Sequence, residues 1–526
     1  MAKLLPFCCL FFFGLCVTDA YNVLVIFTLP GRSLNLLGEG VVKNLLKAGH
    51  KVTYISSYPV HFKNLKENFT HVDASSTQKL FQNNPLFDIS VMMQQTGSET
   101  DAFGIQNLAV QAALMTFQDS NFQRLLNDTS ISFDVVIADF LETEVYAGLA
   151  AVYNCPMIWA YSMGAHSVAV KLVDQPLNPG YSADHTTGSA LPFTFKDRVN
   201  QLWYQVKWFF YKLIYTQPQE KALYEQFLAP YIAKRGLPVP DYHTLIYNAS
   251  LVLSYDHQAS GEVPAVPQSF KFVGGYHIDD PPPPLPKNLQ TILDNAKHGA
   301  IYFSMGSTWK SSTFPKEMKR DLLKMFGELK QTVIWKYEED LPDTPANVHI
   351  VNWAPQQSIL AHPNLRLFIT HGGHLSATEV MHFGVPVIGV PVYFDQHVNV
   401  KNAVRRGTAL SAKLDANLAS SLRPLLREML SNNSYAERAK ELSWIYHNRP
   451  VKPSVELVHW VEHVIKTRGA PHLRSPALSL PFYQRAYLDL IAVILVIFIA
   501  LVIFVHRSSK IVNDSHSKHT SKRKMN

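Results

Sequence analysis

The stretch Phe368–Gln396 leaves few folds open to this chain. It reads Phe368-Ile369-Thr370-His371-Gly372-Gly373-His374, continues through Ser376, Glu379, Gly384, Pro386 and Pro391, and ends at Asp395-Gln396. The apolar run up to Thr370 predicts a buried parallel strand, and Val385 to Val390 predicts the next one. Gly372 and Gly373 let the backbone come close to a ligand, and a helix is predicted to start near Leu375. A strand, a glycine turn and a helix N-terminus make an anion site, because free N–H groups and the helix dipole both face the loop. Asp395 and Gln396 fall just past the second strand, where open α/β sheets collect their ligands.

The rest of the chain must house that unit. Its 526 residues, 47% of them hydrophobic, allow two or three domains with sizeable cores. Met1–Ala20 has Lys3, an apolar core and a small-residue end, which predicts a signal peptide cut after Ala20. Cys8, Cys9 and Cys16 leave with it. Cys155 alone remains, so the mature chain needs a self-sufficient core rather than disulfide staples. Cys155 lies in an apolar run and reads as a packed thiol. Near the other end, Leu488 to Val505 is apolar apart from Asp489 and long enough, with a little flank, to span a bilayer. Arg507, Lys510, Lys518, Lys522, Arg523 and Lys524 follow, against Asp514 alone. That tail supplies +5 of the formal +7, so the basic balance marks a cytosolic flank and not a nucleic-acid surface. Lysines third and fifth from the end fit either a retrieval signal of endoplasmic reticulum membrane proteins or a plain stop-transfer flank. The body is then lumenal, where Asn68, Asn127, Asn248 and Asn432 head sequons open to glycosylation.

Tyr21 to Leu29 (strand), Gly40 to Ala48 (helix) and Val52 to Ile55 (strand) read as a βαβ opening, with Pro30 to Gly38 a loop. Phe133 to Ala138, Glu142 to Val152 and Pro156 to Ala160 repeat the pattern. Lys196 to Leu228 carries Trp203, Tyr204, Trp208, Phe209, Phe210 and Tyr211. That stripe either lines an apolar pocket or meets a membrane, or is helical core. Asp279-Asp280 and the prolines to Pro286 form a stiff linker. Beyond it, Ala300–Ser304, Thr332–Lys336 and Val348–Val351 are strands. Ser307 sits beside a glycine at the first strand's end, suited to a phosphate. The division that follows is 1–20 signal, 21–278 first domain, 279–287 linker, 288–486 second domain, 487–505 span and 506–526 tail.

The residues from Phe368 to Gln396, with Trp353-Ala354-Pro355-Gln356 before them, resemble the signature of the UDP-glycosyltransferases, most closely the membrane-bound animal members and especially those of insects. His447-Asn448-Arg449-Pro450-Val451 and Gly469-Ala470-Pro471-His472 extend the likeness over almost all of the mature chain. The resemblance implies two facing Rossmann-like domains (GT-B type) and a C-terminal transmembrane helix. It implies a single-pass type I protein of the endoplasmic reticulum. No cofactor is expected; a UDP-sugar is co-substrate, UDP-glucose first and UDP-glucuronate second, with a small lipophilic acceptor and no metal. A homo-oligomer is compatible with it.

Site roles follow from the same resemblance. Trp353 stacks on uracil, a use that suits a flat indole, and Gln356 reaches the ribose. His371 and the Gly373 and His374 amides meet the diphosphate. Ser376 stands where the family often has Asn-Gly and still donates to a phosphate. Glu379 takes both ribose hydroxyls, and Asp395 and Gln396 grip the sugar. The family's base is a His after the first strand, oriented by an Asp. Asp139 matches that Asp, but the His position holds Leu34. Three readings follow. Transfer goes to acceptors that need little base help, such as amines or acidic hydroxyls; or the base is relocated, with Asp139, Glu142, Glu144 and His166 as candidates; or the chain is a non-catalytic binder of UDP-sugar or lipophile, or a partner subunit. The first is favoured, since some members of the family also lack this His and act on nitrogen acceptors; the intact Asp395-Gln396 pair argues against a bare carrier.

Overall fold

Two all-parallel sheets carry the chain. A computed structural model describes residues 20–62, 65–82, 89, 93, 102–184, 187, 189, 191–260 and 265–523. Residues 1–19, which hold the expected signal-peptide core, and residues 524–526 lie outside them. The first sheet holds β1 (Asn22–Phe27), β2 (Lys51–Ser56), β3 (Phe69–Asp73), β4 (Val135–Asp139), β5 (Met157–Tyr161), β6 (Leu251–Ser254) and β7 (Phe270–Phe272), in the order β3-β2-β1-β4-β5-β6-β7. The second holds β8 (Ala300–Ser304), β9 (Thr332–Lys336), β10 (Val348–Val351), β11 (Leu365–Thr370), β12 (Val387–Gly389) and β13 (Ala409–Ser411), in the order β10-β9-β8-β11-β12-β13. Each is Rossmann-like. The strand order reverses between β1 and β4 in one sheet and between β8 and β11 in the other, and ligands gather at such points.

The sequence explains the burial. β4, β5 and β8 are apolar without alternation, and every residue in them is buried, as a strand covered on both faces requires. Six helices matter below: α1 (Arg32–Lys47), α2 (Phe195–Tyr211), α3 (His374–Phe383), α4 (Gln396–Arg405), α5 (Pro453–Lys466) and α6 (Leu488–Arg523). α5 follows the second sheet in sequence, yet Leu457, Val461 and Val464 pack in the cluster of β1 and α1.

Three local expectations change. The predicted loop from Pro30 to Gly38 is the first half of α1, so Leu34 lies in a helical first turn. Gly38, placed at the end of that loop, lies inside the helix and serves close packing: a Cβ there would meet the Tyr54 hydroxyl at 2.1 Å. Conversely, the predicted helix from Glu142 begins only at Ala147. Glu142 itself adopts a left-handed conformation, φ 65°. The aromatic stripe of α2 divides: Tyr204 and Trp208 are buried, while Trp203, Phe209 and Phe210 are exposed.

The chain forms two compact units, one ending at Arg474 and one beginning at Ser475. The second contains one helical stretch, Leu488–Asp514, long and apolar enough to cross a membrane, with a hydropathy of 3.3.

Candidate functional site

Loops after β8, β9 and β11 converge at the reversal of the second sheet. His371 follows β11, and its ring lies between two backbones. A Cβ at Gly306 would come within 2.5 Å of Cε1, and one at Gly373 within 2.6 Å of Nε2. Only glycine fits at either place. Ser307 belongs to the same turn as Gly306. Burial, with the Lys336 charge nearby, pushes His371 down to about 4, so its ring is neutral at physiological pH. Lys336, at the end of β9, is itself buried; its Nζ donates to the Gly306 carbonyl at 2.8 Å and to Glu338 at 2.6 Å.

α3 starts at His374 with Gly373 as N-cap and no side-chain cap, so its first N–H groups face the loop. One turn further, the Glu379 carboxylate collects three donors: Gln356 on Oε2, and Gln357 at 3.2 Å and His277 at 3.0 Å on Oε1. Gln356 also donates to Ser376 Oγ at 3.0 Å. Gln356 and Glu379, chosen from sequence for the ribose, and Ser376, chosen for a phosphate, therefore form one connected group. His277 and Tyr255 come from the first half. Their side chains meet at 2.6 Å, and His374 Nε2 bonds the Tyr255 carbonyl at 2.5 Å. Sequence reading missed His277, Tyr255 and Gln357. Nothing local marks them, because their partners lie up to 119 residues away.

Trp353 is 57% exposed, with Lys336 Nζ 5.9 Å and Arg32 6.0 Å from its ring. Asp395 is buried beside the His374 amide and bonds Asn399 at 2.6 Å; burial raises its carboxyl above the ordinary range. Gln396 turns back on its own loop, its carbonyl accepting from the Val392 and Tyr393 amides at 2.8 and 3.1 Å. A cavity of about 120 Å³ borders Gly372, His374, Ser376 and Asp395 on one side and Met163, Gly164 and Asp256 on the other. A larger one, about 530 Å³, lies at Lys43, Asp279 and Arg449 and touches none of the residues named from sequence for the donor. Asn127 and Asn248 are exposed, Asn68 and Asn432 half-buried. Burial pushes the Cys155 thiol up to about 12, in keeping with a packed residue.

Asp139 ends β4 on the first sheet. It is buried, and its Oδ1 has no hydrogen-bond partner among the described residues. Tyr54, Tyr146, Tyr161 and Tyr276 feel its charge. Burial alone raises it to about 8. Below about pH 4 the folded and unfolded chains both hold this proton. As pH rises from there to 8, only the unfolded chain releases it, so stability falls; above 8 the loss is complete. Asp139→Asn removes this liability. Its melting temperature is expected to exceed that of the parent at pH 8, by a margin worth on the order of a few kcal/mol, and to match it at pH 4. Equal differences at the two pH values would mean that Asp139 is ionised in the folded chain.

The family model described as "UDP-glucoronosyl and UDP-glucosyl transferase" matches residues 22–523. The chain is similar to "UDP-glucosyltransferase 2" of Dactylopius coccus, 31% identical over 488 residues, covering 92% of this chain and 91% of the relative. It is 27% identical to human "UDP-glucuronosyltransferase 2B7", with 88% of each covered. Among solved structures it resembles CalG4, the calicheamicin glycosyltransferase, at TM-score 0.55 and 17% identity, covering 86% of this chain and all of that one. It also resembles a UDP-glucosyltransferase from Polygonum tinctorium, at TM-score 0.56 and 15% identity, covering 85% and 99%.

Proposed function

The chain belongs to the UDP-glucuronosyl and UDP-glucosyl transferase family, and from that premise we propose that it moves a hexose from its UDP donor to a small lipophilic acceptor, with inversion at the anomeric carbon. The family reaction is transfer of a sugar from a UDP-sugar. Glucose is favoured over glucuronate by the stronger match to the insect relative named a glucosyltransferase. The observation that carries the reading is the connected group Gln356–Ser376–Glu379 at the sheet reversal beside His371.

In this reading Trp353 offers its exposed face to uracil, and Gln356 and Glu379 take the ribose. The open N-terminus of α3, neutral His371, Ser307 and Ser376 meet the diphosphate. Charge that develops on the departing diphosphate is thereby balanced by fixed dipoles without a metal ion. Asp395 and Gln396 hold sugar hydroxyls. Asp395 is fixed for this by Asn399 and the His374 amide; Gln396 has its carbonyl engaged, which leaves its amide group for the sugar. With leucine at position 34, the acceptors are amines or acidic hydroxyls, whose attack asks least of a base. The span and basic tail support a single-pass protein of the endoplasmic reticulum membrane with the catalytic side lumenal.

The test is a screen of microsomes expressing the chain, with UDP-glucose and UDP-glucuronate against anilines, acidic phenols and aliphatic alcohols. Glucosyl transfer to anilines and acidic phenols, exceeding that to alcohols, is expected. UDP binding with transfer to none of them would instead identify a carrier.

A further inference from the structure

A buried carboxylate that the donor reading does not use stands just past the end of β4 in the first sheet. Glu142 is 2% exposed, and neither of its oxygens has a hydrogen-bond partner among the described residues. It is also held at φ 65°, in the left-handed region that side chains other than glycine and asparagine rarely take. Strain and an unpartnered buried acid both cost stability, and their coincidence at a strand end is a mark of function. The position is the loop after β4, three residues beyond Asp139, where the strand order reverses.

The surroundings decide what such a group does. Glu142 is faced by His166, Lys212, Glu144 and Asp184. The buried Tyr161 hydroxyl feels the charges of Glu142, Asp184 and Asp139 from its own half and, least of the four, that of Asp395 from the other. The other base candidates are spent. Glu144 pairs with Lys212, which also holds Glu220 at 2.8 Å. His166 binds Asp184 through Nε2 at 2.6 Å, and its Nδ1 accepts from the Val168 amide. Asp139 is raised by burial alone, with no cation among the described residues contributing to favour its ionised form. Glu142 has His166 and Lys212 for that purpose; burial raises it to about 7, so both of its forms are present near neutral pH.

We propose that Glu142 is the base on the acceptor side, taking the proton from a nitrogen nucleophile in place of the imidazole that Leu34 replaces. This rests on the transferase reading above. The amine lone pair attacks the anomeric carbon. The bond from that carbon to the diphosphate oxygen breaks, and its electron pair leaves with UDP. The nitrogen, now cationic, passes one proton to the Glu142 carboxylate and remains as the N-glycoside. The same carboxylate stabilises the positive charge as it grows on nitrogen, in a site closed to water.

The experiment uses detergent-solubilised full-length chain with UDP-glucose and an aniline. Glu142→Gln keeps the shape and removes the base; Glu142→Asn also suits the left-handed backbone and guards against misfolding. Both are expected to lose roughly 10²-fold in kcat/KM for the aniline, the low end of a general base's worth because an amine asks least of one. Affinity for UDP should be unchanged and the melting temperature no lower than that of the parent. A rise of kcat/KM with pH is expected in the parent and should be absent from both variants. Variants that transfer to aniline like the parent would overturn the assignment and leave the transferase reading intact. So would a parallel loss of UDP affinity, which would mark Glu142 as structural. A parent chain that transfers sugar to no acceptor would overturn both.

Discussion

Glu379→Ala is expected to weaken UDP binding by roughly 30- to 1000-fold. Two charge-assisted hydrogen bonds to the ribose are lost, each worth about 1.5–3 kcal/mol, and the neighbours recover part of that by repacking. The carboxylate has about four acceptor positions. In the unliganded chain Gln356, Gln357 and His277 occupy three of them. In the proposed donor pose a ribose diol would use the free position and displace the longest of the three, Gln357 at 3.2 Å. Glu379→Gln tests the charge apart from the shape. It still accepts on one oxygen, but its new N–H groups face donors, so it should fall between the parent and alanine. Isothermal titration of UDP into the solubilised protein reads both. Binding of UDP to Glu379→Ala with the parent's affinity would remove this carboxylate from the donor site.

The same residue links the two halves. His277 belongs to the segment after β7 and Glu379 to α3, so their contact at 3.0 Å joins the first sheet's side to the second's. Loss of UDP affinity in Glu379→Ala should thus come with a modest fall in melting temperature, because His277 keeps only its Tyr255 partner. In the parent, saturating UDP should raise the melting temperature by mass action, and in the variant this increment should shrink.

Much of this was legible in residues 353–396, and the reason is local. A buried parallel strand declares itself by an unbroken apolar run, and the turn after β11 by glycines that packing against His371 demands. Side chains three residues apart on α3, Ser376 and Glu379, reach the same glutamine, as helical spacing dictates. What stayed hidden is tertiary. Pro30 to Gly38 reads as a loop until Gly38 is seen inside α1 with Tyr54 pressed against it. The stretch from Glu142 has helical composition, yet its first residues are held in a turn and the helix waits until Ala147. His277 has no motif around it; it becomes part of the site only because α3 is brought against the segment after β7. Nor does composition say that Lys212, in the run after α2, is buried between Glu144 and Glu220.

Leu34→His is expected to open the chain to neutral alcohols, raising kcat/KM for them by up to about 10²- to 10⁴-fold, the usual worth of a general base. Position 34 lies in the first turn of α1, half-buried. The positive helix end there holds an imidazole neutral and so able to accept a proton. Asp139 is the expected partner. Pairing with an imidazolium would pull its carboxyl down from about 8, toward the ionised form that orients a base. Two readouts follow. Transfer to alcohols should appear with a pH profile governed by the imidazole, while transfer to anilines should change little if Glu142 already serves them. Combining Leu34→His with Glu142→Gln should keep the alcohol activity and lose the aniline activity. Stability gives an independent check. Adding Asp139→Asn to the parent should raise its melting temperature at pH 8, whereas adding it to Leu34→His should lower or leave unchanged that of the new pair, since the carboxylate then has a partner to lose. If Leu34→His gains nothing on any alcohol and leaves the Asp139→Asn effect as it was, the side chain at position 34 does not reach the carboxylate, and the first helix of this chain is set too far from β4 to rebuild the family's dyad.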